Sequence, residues 1–229
     1  MEIRIESLVD GARRAEGTVV IIDVYRAYTT AAVAFSRGAR QIILVAEVEE
    51  ALELRRRGMA DLCMGEVGGM KPEGFDFGNS PHELSTADVA GKTLAQSTRA
   101  GTVGAAAATR AERVYVSSLA VASATARAVL RQNPGLVTIV AMGIEGKTRT
   151  DEDELCALYL RNRIQGRETD HDAVRAMVLA GEQSMNFDDP ELPHMHPMDR
   201  ELALRVDSFP FAIRAFREDG LLVARPEAV

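Results

Sequence analysis

The chain has few aromatic residues and few cysteines, and both shortages narrow the functions that it can have. Aromatic residues make up 5% of its 229 residues and none is tryptophan, so we expect no aromatic platform for stacking nucleic-acid bases. The two cysteines, Cys63 and Cys156, lie far apart in the sequence. A disulfide framework is therefore not expected, and the composition favours a reducing, cytoplasmic location.

The sequence also lacks a long hydrophobic run and an excess of positive charge. No run of about 18 apolar residues occurs, so no transmembrane helix is expected. The first residues, MEIRIESLVDGARR, do not have the basic-then-apolar order of a signal peptide. The net charge of -7 argues against a nucleic-acid partner, but a few local arginines can still form a positive pocket for a small anion.

What the sequence does contain is a regular alternation of apolar strands and helical segments. Residues 19–23 and 42–46 have the continuous apolar character of buried strands, and each precedes a predicted helix that ends near a glycine. Segments that begin at KTLAQS, RVYVSS and LVTIVA repeat this order. The alternation predicts βαβ units and a largely parallel sheet covered on both faces. We expect one α/β domain over residues 1–229, in which the more polar part from 165 to 229 follows the pattern least.

Polar residues follow several of the predicted strands. Ligands of open α/β sheets bind beyond the carboxyl ends of the strands, and here these ends carry Asp23, Ser97, Ser118 and the loop of residues 143–153. The loop GFDFGNSP could join them, and it places Asp76 between two phenylalanines. A buried carboxylate is costly unless it is paired or binds a metal, so Asp76 either forms a local Asx-turn or has a function.

Three further segments each allow a structural and a functional interpretation. Asp23 either caps the next helix or binds a metal, while Arg26 contacts an anionic substrate. The segment QSTRAGT is either a polar turn with a helix cap or a cradle for an oxyanion. In TDEDEL, Glu152 and Asp153 either stabilise a helix N-terminus through their negative charge or supply oxygen ligands to Mg²⁺. Glu66, which lies among glycines, allows the same two interpretations.

Two other motifs compete with these. The segment AMGIEGKT, residues 141–148, approximates the phosphate loop of NTPases, but Ala141 replaces its first glycine and no apolar strand ending in Asp follows it. The histidines of HMH, His194 and His196, alternate in a way that can bind a metal. No third soft ligand stands near them in the sequence, and a polar surface loop explains them without a metal.

Five blocks taken together resemble the 2-phosphosulfolactate phosphatase family: VVIIDVYRAYTT, GFDFGNSP, QSTRAGT, SSLAVASATA and DEDELCA. Their order and separation look like those of that family. The resemblance implies a three-layer α/β/α sandwich with a mostly parallel, mixed sheet. It also implies a Mg²⁺-dependent phosphoric monoester hydrolase that acts on a small anionic 2-hydroxy acid. The expected substrate is 2-phospho-3-sulfolactate, which would give 3-sulfolactate and phosphate.

The resemblance also implies roles for particular residues. The implied metal ligands are Asp23, Asp76, Glu152 and Asp153. The implied catalytic residues are Asp23, Arg26, Asp76 and Glu66. The expected substrate contacts are Thr29, Thr30, Asn79, Ser80, Ser97, Thr98, Arg99, Gly101, Thr102 and Ser118. Asp23 is either a metal ligand or a nucleophile that forms an acyl-phosphate.

The loop QSTRAGT departs from the family pattern, which often has T-T-N-G-T, so the reaction type carries over better than the substrate. Two further hypotheses stay open. One is an NTPase that uses AMGIEGKT, and the other is a protein of the same fold that binds an anionic metabolite without catalysis. Base rates alone favour a homodimer among soluble oligomers, and the sequence itself does not give the oligomeric state.

Overall fold

The computed structural model describes all 229 residues and contains nine strands and ten α-helices. The strands are β1 (Glu2–Ser7), β2 (Gly17–Ile22), β3 (Gln41–Val45), β4 (Leu62–Gly65), β5 (Thr93–Ser97), β6 (Ala111–Ser117), β7 (Leu136–Ala141), β8 (Phe211–Glu218) and β9 (Leu221–Ala228). The helices are α1 (Leu8–Arg14), α2 (Ala27–Ser36), α3 (Val48–Arg56), α4 (Pro81–Thr86), α5 (Gly101–Ala107), α6 (Ala122–Arg131), α7 (Asp151–Ile164), α8 (His171–Leu179), α9 (Glu182–Met185) and α10 (Pro197–Ala203). None of the helices is both long and apolar enough to cross a membrane.

The nine strands form one sheet in the order β1-β7-β2-β6-β8-β9-β3-β5-β4. Strands β1, β7, β2 and β6 are parallel neighbours, and so are β3, β5 and β4. Between these two groups, β8 and β9 run antiparallel and pair with β6 and β3. The sheet is therefore mixed and mostly parallel, as predicted.

Alternate residues of the inner strands point to opposite faces of the sheet, and helices cover both faces. In β2, Val19 and Ile21 pack in a core with α1, α2, α4 and α5, whereas Val20 and Ile22 pack in a core with α6, α7 and α8. Helix α3 packs over Ile43 on β3, whose neighbours in the strand face the first core. The three-layer α/β/α sandwich is confirmed. Strands buried on both faces have continuous apolar sequences, which is why the pattern revealed them.

The predicted elements up to Ile164 agree with the structure in type, but the short helix α4 after the GFDFGNSP loop was not predicted, and the other missed elements lie at the two ends of the chain. The edge strand β1 and the short helix α1 were not predicted, because β1 alternates charged and apolar residues and has one partner only. The C-terminal part differs most from the prediction. The hairpin of β8 and β9 lies in the middle of the sheet and not at its margin.

The hairpin turns at Asp219 and Gly220, whose φ angles of 51° and 80° lie in the left-handed region. Two consecutive residues with positive φ are what a two-residue type I′ turn requires, and Asp-Gly is among the sequences that favour it. Through this turn the C-terminal segment joins the two parallel groups into a single sheet.

Candidate active site

A cleft of about 330 Å³ opens at the carboxyl edge of the parallel strands, and we call it the central cleft. The loops after β2, β4, β5 and β7 line it, together with the segment between α8 and α10. Its charged or titratable lining residues are Asp23, Tyr25, Arg26, Glu66, Arg99, Glu145, Glu152 and His194. This is the edge of the sheet at which the sequence predicted a site.

Asp23 follows β2 directly and is held by two backbone amides. Its Oδ1 accepts a hydrogen bond from the N–H of Ala27 at 3.0 Å, and its Oδ2 accepts one from the N–H of Gly101 at 2.9 Å. A Cβ atom at position 101 would lie 2.8 Å from Oδ2, so only glycine allows this approach. Burial raises the pKa of Asp23 to about 6, and the charge of Glu66 adds to the increase. Asp23 is thus both a helix cap and a cleft carboxylate.

Glu152 lies in the first turn of α7 and also lines the central cleft. It is buried, and burial raises its pKa to about 7, with a further contribution from the charge of Asp23. At neutral pH this carboxyl group can therefore gain or release a proton. Two acids that lie far apart in the sequence, Asp23 and Glu152, meet in one cleft.

Asp153 lies behind the cleft and does not line it. Its Oδ1 accepts a hydrogen bond from the N–H of Val24 at 2.7 Å, and its Oδ2 accepts one from the N–H of Gly143 at 2.8 Å. Burial raises its pKa, and the charges of Glu152 and Asp23 add to this. Asp153 joins the loops that follow β2 and β7, and its predicted role as a metal ligand stays a prediction.

Arg26 lines the cleft, but the protein itself uses most of its donors. Its Nη1 donates hydrogen bonds to the backbone oxygen of His194 at 2.7 Å and to Oδ2 of Asp199 at 2.9 Å. Its Nη2 donates to the backbone oxygen of Gly69 at 3.1 Å. The side chains of Arg26 and Asp199 are 4% and 0% exposed. Arg26 therefore holds the C-terminal segment against the cleft.

Asp199 is a site residue that sequence reasoning missed. Besides its ion pair with Arg26, its Oδ1 accepts hydrogen bonds from the Ser80 hydroxyl at 2.6 Å and from the N–H of His82 at 2.9 Å. Ser80 in turn caps α4 by accepting a bond from the N–H of Glu83. Asp199 thus connects the GFDFGNSP loop, Arg26 and α10. An acid in the first turn of a short helix looks in sequence like an ordinary helix-terminal acid, so no distinctive signal marked it.

Glu66 and Arg99 both line the cleft and are joined through the backbone of Arg99. The Oε1 of Glu66 accepts a hydrogen bond from the N–H of Arg99 at 2.7 Å, and its Oε2 accepts one from the N–H of Gly69 at 2.8 Å. The guanidinium of Arg99 is left to pair with Glu47 at 3.3 Å near the surface. Glu66 therefore fixes two loops, while the Arg99 side chain stays only weakly held.

Asp76 does not line the central cleft, so the catalytic and metal-binding roles expected of it stay predictions without support from the cleft. Its Oδ2 accepts hydrogen bonds from the N–H of Cys63 at 2.8 Å and from Arg55 at 2.9 Å. Phe75 is buried in the core beneath α3, and Phe77 pairs with Met64 of β4. The two aromatic residues anchor the loop to β4, and this turns the carboxylate of Asp76 toward α3.

Most of the hydroxyl groups predicted to contact a substrate are engaged within the protein. Thr29 donates to the backbone oxygen of Val24, and Ser97 donates to that of Ala46. Thr98 and Thr102 bond to each other and to each other's backbone at the start of α5. None of these four residues, nor Ser80 or Gly101, lines the cleft. In this structure these hydroxyls serve the protein's own loops and the start of α5, and the substrate contacts expected of them stay predictions.

Three predicted residues have buried side-chain oxygens without a hydrogen-bond partner: Thr30, Asn79 and Ser118. Of these, Asn79 alone lines the central cleft. A buried polar atom without a partner is costly, so the Oδ1 of Asn79 is suited to a donor from a ligand or water. Thr30 and Ser118 lie outside the cleft lining.

The two histidines of the HMH motif separate in the structure. His194 lines the cleft, whereas the Nδ1 of His196 accepts a hydrogen bond from the N–H of Met198 and so caps α10. The ring of His196 stacks on that of His82 at 4.3 Å between centroids. The motif is therefore divided between the cleft and a helix cap.

The segment AMGIEGKT does not form a phosphate loop. Lys147 pairs with Glu145 and is 77% exposed, and Thr148 bridges back to Ile144 in a tight turn. In a phosphate loop the lysine lies at the N-terminus of the following helix. Here α7 begins only at Asp151, and its first turn carries four acids that would repel a phosphate. The NTPase hypothesis is not supported by this geometry.

The central cleft offers fewer Mg²⁺ ligands than predicted. No group of three or more histidine, cysteine, aspartate or glutamate side chains is arranged to hold a metal ion. Asp23 and Glu152 are nevertheless two acids that line one cleft. Mg²⁺ often takes one or two carboxylates and fills its other positions with waters and substrate oxygens. The pair fits an ion that binds in this way, without Asp76 or Asp153.

Comparison with known proteins places the chain in a family. A family model described as 2-phosphosulpholactate phosphatase matches residues 4–193. A probable 2-phosphosulfolactate phosphatase of Thermoplasma acidophilum is 30% identical over 217 residues, which are 92% of this chain and 90% of that protein. Proteins of the same description from Caldicellulosiruptor saccharolyticus and Deinococcus radiodurans are 39% and 36% identical over 61% and 66% of this chain. These last two matches cover 59% and 63% of the relatives' own lengths, which is less than two thirds.

The matched range contains every cleft carboxylate and ends before Asp199. It spans more than half of the chain and includes the five sequence blocks up to α7. The chain belongs to the 2-phosphosulpholactate phosphatase family.

Proposed function

We propose that the protein is a phosphatase that hydrolyses the phosphate monoester of a small anionic 2-hydroxy acid with the help of Mg²⁺. The first candidate substrate is 2-phospho-3-sulfolactate, because the relatives carry that activity in their descriptions. The observation that supports the proposal most is the pair of buried acids, Asp23 and Glu152, in the same cleft as Arg99. A site that only bound an anion would have no need of two buried acids.

Asp23 and Glu152 would hold the Mg²⁺ ion, which when bound supplies positive charge opposite the phosphoryl oxygens. The chain's own contribution is orientation. Two backbone amides fix the Asp23 carboxylate, and Glu66 fixes the loop that carries Arg99. Phosphoryl transfer asks for positioning and charge stabilisation more than for covalent chemistry, and this cleft offers both.

The proton balance of the hydrolysis falls to Glu152. A water oxygen bonds to phosphorus, the ester oxygen leaves, and one proton must move from the water while the alkoxide takes one up. A carboxylate bound to the ion is not free to take a proton, so Glu152, whose pKa is about 7 in the metal-free protein, can accept the first of these protons and pass it to the alkoxide where Asp23 alone holds the ion. Asp23 has two roles that suit its position, as a metal ligand or as a nucleophile. Trapping of a phosphorylated protein in a rapid acid quench would assign the second role.

The test is phosphate release by the purified protein from four compounds: an aryl phosphate, 2-phosphosulfolactate, 2-phospholactate and ATP. Each is assayed with Mg²⁺ and with EDTA. We expect EDTA-sensitive release from the two hydroxy-acid esters and none from ATP. Release from ATP alone would contradict the proposal. Release from none of them, with 2-phosphosulfolactate still raising the unfolding temperature, would point to the binding protein instead.

A further inference from the structure

The cationic lining of the central cleft suggests which part of a substrate the cleft can distinguish. A hydroxy-acid phosphate ester carries a second acid group besides the phosphoryl group that reacts. Three lining side chains can bear positive charge: Arg26, Arg99 and His194. The other charged lining side chains are carboxylates, so a contact of opposite charge with the second acid group has to come from one of these three.

Arg26 is not free for this role. Three of its five N–H donors already bind Asp199 and the backbone oxygens of His194 and Gly69, and its side chain is 4% exposed. Removing it from Asp199 would leave a buried charge without a partner, which is costly. Arg26 therefore holds parts of the protein together and is not available to the second acid group of a substrate.

His194 is also unsuited to holding an anion by charge. Burial and the positive charge of Arg26 lower its pKa below the ordinary value of 6.5. The ring is therefore mostly neutral at pH 7 and above. A neutral imidazole can donate one hydrogen bond, but it adds no net positive charge against a carboxylate or sulfonate.

Arg99 differs from both, because its backbone is fixed and its side chain is not. The Glu66 carboxylate holds its N–H, and the Asp23 carboxylate holds that of Gly101, two residues further on. Its guanidinium pairs only with Glu47, at 3.3 Å, and the two side chains are 35% and 56% exposed. Exposed ion pairs of this kind contribute about 0–1 kcal/mol, so the guanidinium can leave Glu47 at little cost.

We propose that Arg99 is a specificity-determining residue, whose guanidinium exchanges Glu47 for the non-reacting carboxylate or sulfonate of the substrate. The cleft then prefers phosphate esters that carry a further acid group over esters that carry none. The planar guanidinium suits this task, since it binds such a group through two parallel N–H donors. The inference rests on the proposed phosphatase function and deepens it.

The experiment compares 2-phospholactate with 4-nitrophenyl phosphate, which lacks the second acid group. The measured quantity is the ratio of their kcat/KM values with Mg²⁺ present. In Arg99→Gln we expect this ratio to fall about 10- to 100-fold, the usual worth of a charge-assisted hydrogen bond. The control is Lys147→Gln, a cation outside the cleft lining, for which the ratio should stay within about twofold because it makes no cleft contact.

Two results would overturn the proposal. An equal loss of kcat/KM on both esters would mean that Arg99 acts on the phosphoryl group, and an unchanged ratio would mean that it selects nothing. If the wild-type protein releases no phosphate from any ester, the phosphatase proposal fails by itself. Calorimetric titration with 2-phospholactate then decides on Arg99. Binding that is at least tenfold weaker in Arg99→Gln than in the wild type supports its role. Equal binding by the two proteins, or no binding by the wild type, refutes it.

Discussion

At the scale of single residues, three carboxylates around the central cleft each accept two backbone N–H groups. Asp23 binds the amides of Ala27 and Gly101, Glu66 those of Gly69 and Arg99, and Asp153 those of Val24 and Gly143. Bonds of this kind are charge-assisted and therefore stronger than those between neutral groups. They hold the loops that end four strands in place before any ligand binds, which is the preorganisation that a reaction centre needs.

Which residues reach the cleft was only partly predictable. Asp23 and Glu152 could be found because an acid after a buried strand and an acid opening a helix both lie at the carboxyl edge of a parallel sheet. Asp76 could not be excluded, because the side toward which a loop carboxylate turns depends on Arg55 and on the Cys63 amide, which are distant in sequence. Asp199 could not be found, because its partner Arg26 is 173 residues away.

We expect Asp199→Asn to reduce both stability and activity. The asparagine can still accept bonds from Ser80 and His82, but it places an NH₂ group against Nη1 of Arg26. Loss of one partner of a buried ion pair costs about 3–5 kcal/mol. Urea unfolding measures this loss of stability. If Arg26 holds the loops that line the cleft in place, kcat should fall by a larger factor than KM rises.

The matched control for this variant is Glu201→Gln on the same helix. Glu201 pairs with Arg175 at the surface, and its side chain is 40% exposed. Its replacement should change the free energy of unfolding by no more than about 1 kcal/mol. An Asp199→Asn protein as stable and as active as this control would show that the Arg26–Asp199 pair has no positioning role.

At the scale of elements, the parallel strands were predictable and the antiparallel hairpin was overlooked. Strands such as β2 and β7 are apolar on both faces, and among short segments this pattern is typical of strands covered by helices on both sides. Strands β8 and β9 flank Asp219 and Gly220, and an Asp-Gly pair between two strand-like segments is a strong short-range hairpin signal. The signal was present in the sequence. The position of the hairpin in the middle of the sheet could not be predicted from the sequence, because strand order depends on contacts between distant segments.

The turn of this hairpin allows a direct test. We expect Gly220→Ala to destabilise the protein by about 1–2 kcal/mol, because an alanine with a φ of 80° lies in the left-handed region. No atom lies within 4 Å of the added Cβ, so the cost is one of backbone conformation alone. Thermal and urea unfolding measure it.

Gly135→Ala provides the comparison for the turn. Its Cβ would also meet open space, but its φ is not positive. We expect it to be neutral or slightly stabilising, since alanine restricts the unfolded chain more than glycine does. Equal effects of the two substitutions would show that the Asp219–Gly220 turn is not a type I′ turn.

At the scale of the whole molecule, the site is made from both ends of the chain. The cleft takes Asp23 from the first third, Glu152 from α7 and His194 from the C-terminal part, while the hairpin closes the sheet behind it. The C-terminal part thus belongs to the same sheet as the rest. The homodimer that base rates favour stays a prediction.

The buried acids should make the metal-free protein less stable as the pH rises. Glu152 has an ordinary pKa of 4.5 in an unfolded chain and a pKa of about 7 when folded. Its contribution to stability is therefore complete below pH 4.5 and is lost as the pH rises through 7. Between pH 5 and pH 8, in EDTA, the free energy of unfolding of the wild type should fall more than that of Glu152→Gln, by about 2 kcal/mol.

Titrating groups outside the cleft are common to both proteins and cancel in this comparison, whereas Asp23 and Asp153 also respond to the loss of the Glu152 charge. Under the proposed function, excess Mg²⁺ at pH 8 should stabilise the wild type more than Glu152→Gln, because the ion binds only the folded state. Parallel stability curves for the two proteins in EDTA would mean that the Glu152 carboxyl group titrates as it does in water.

The most direct test of the account is the turnover number of Asp23→Asn. The ester used is the one that the wild type hydrolyses fastest with Mg²⁺ present, and the variant's unfolding transition is measured on the same preparation. The substitution keeps the shape of the side chain and removes its charge. We predict a loss of at least about 1,000-fold in kcat with a cooperative unfolding transition retained. Turnover close to that of the wild type would contradict the assignment of the central cleft as the reaction centre.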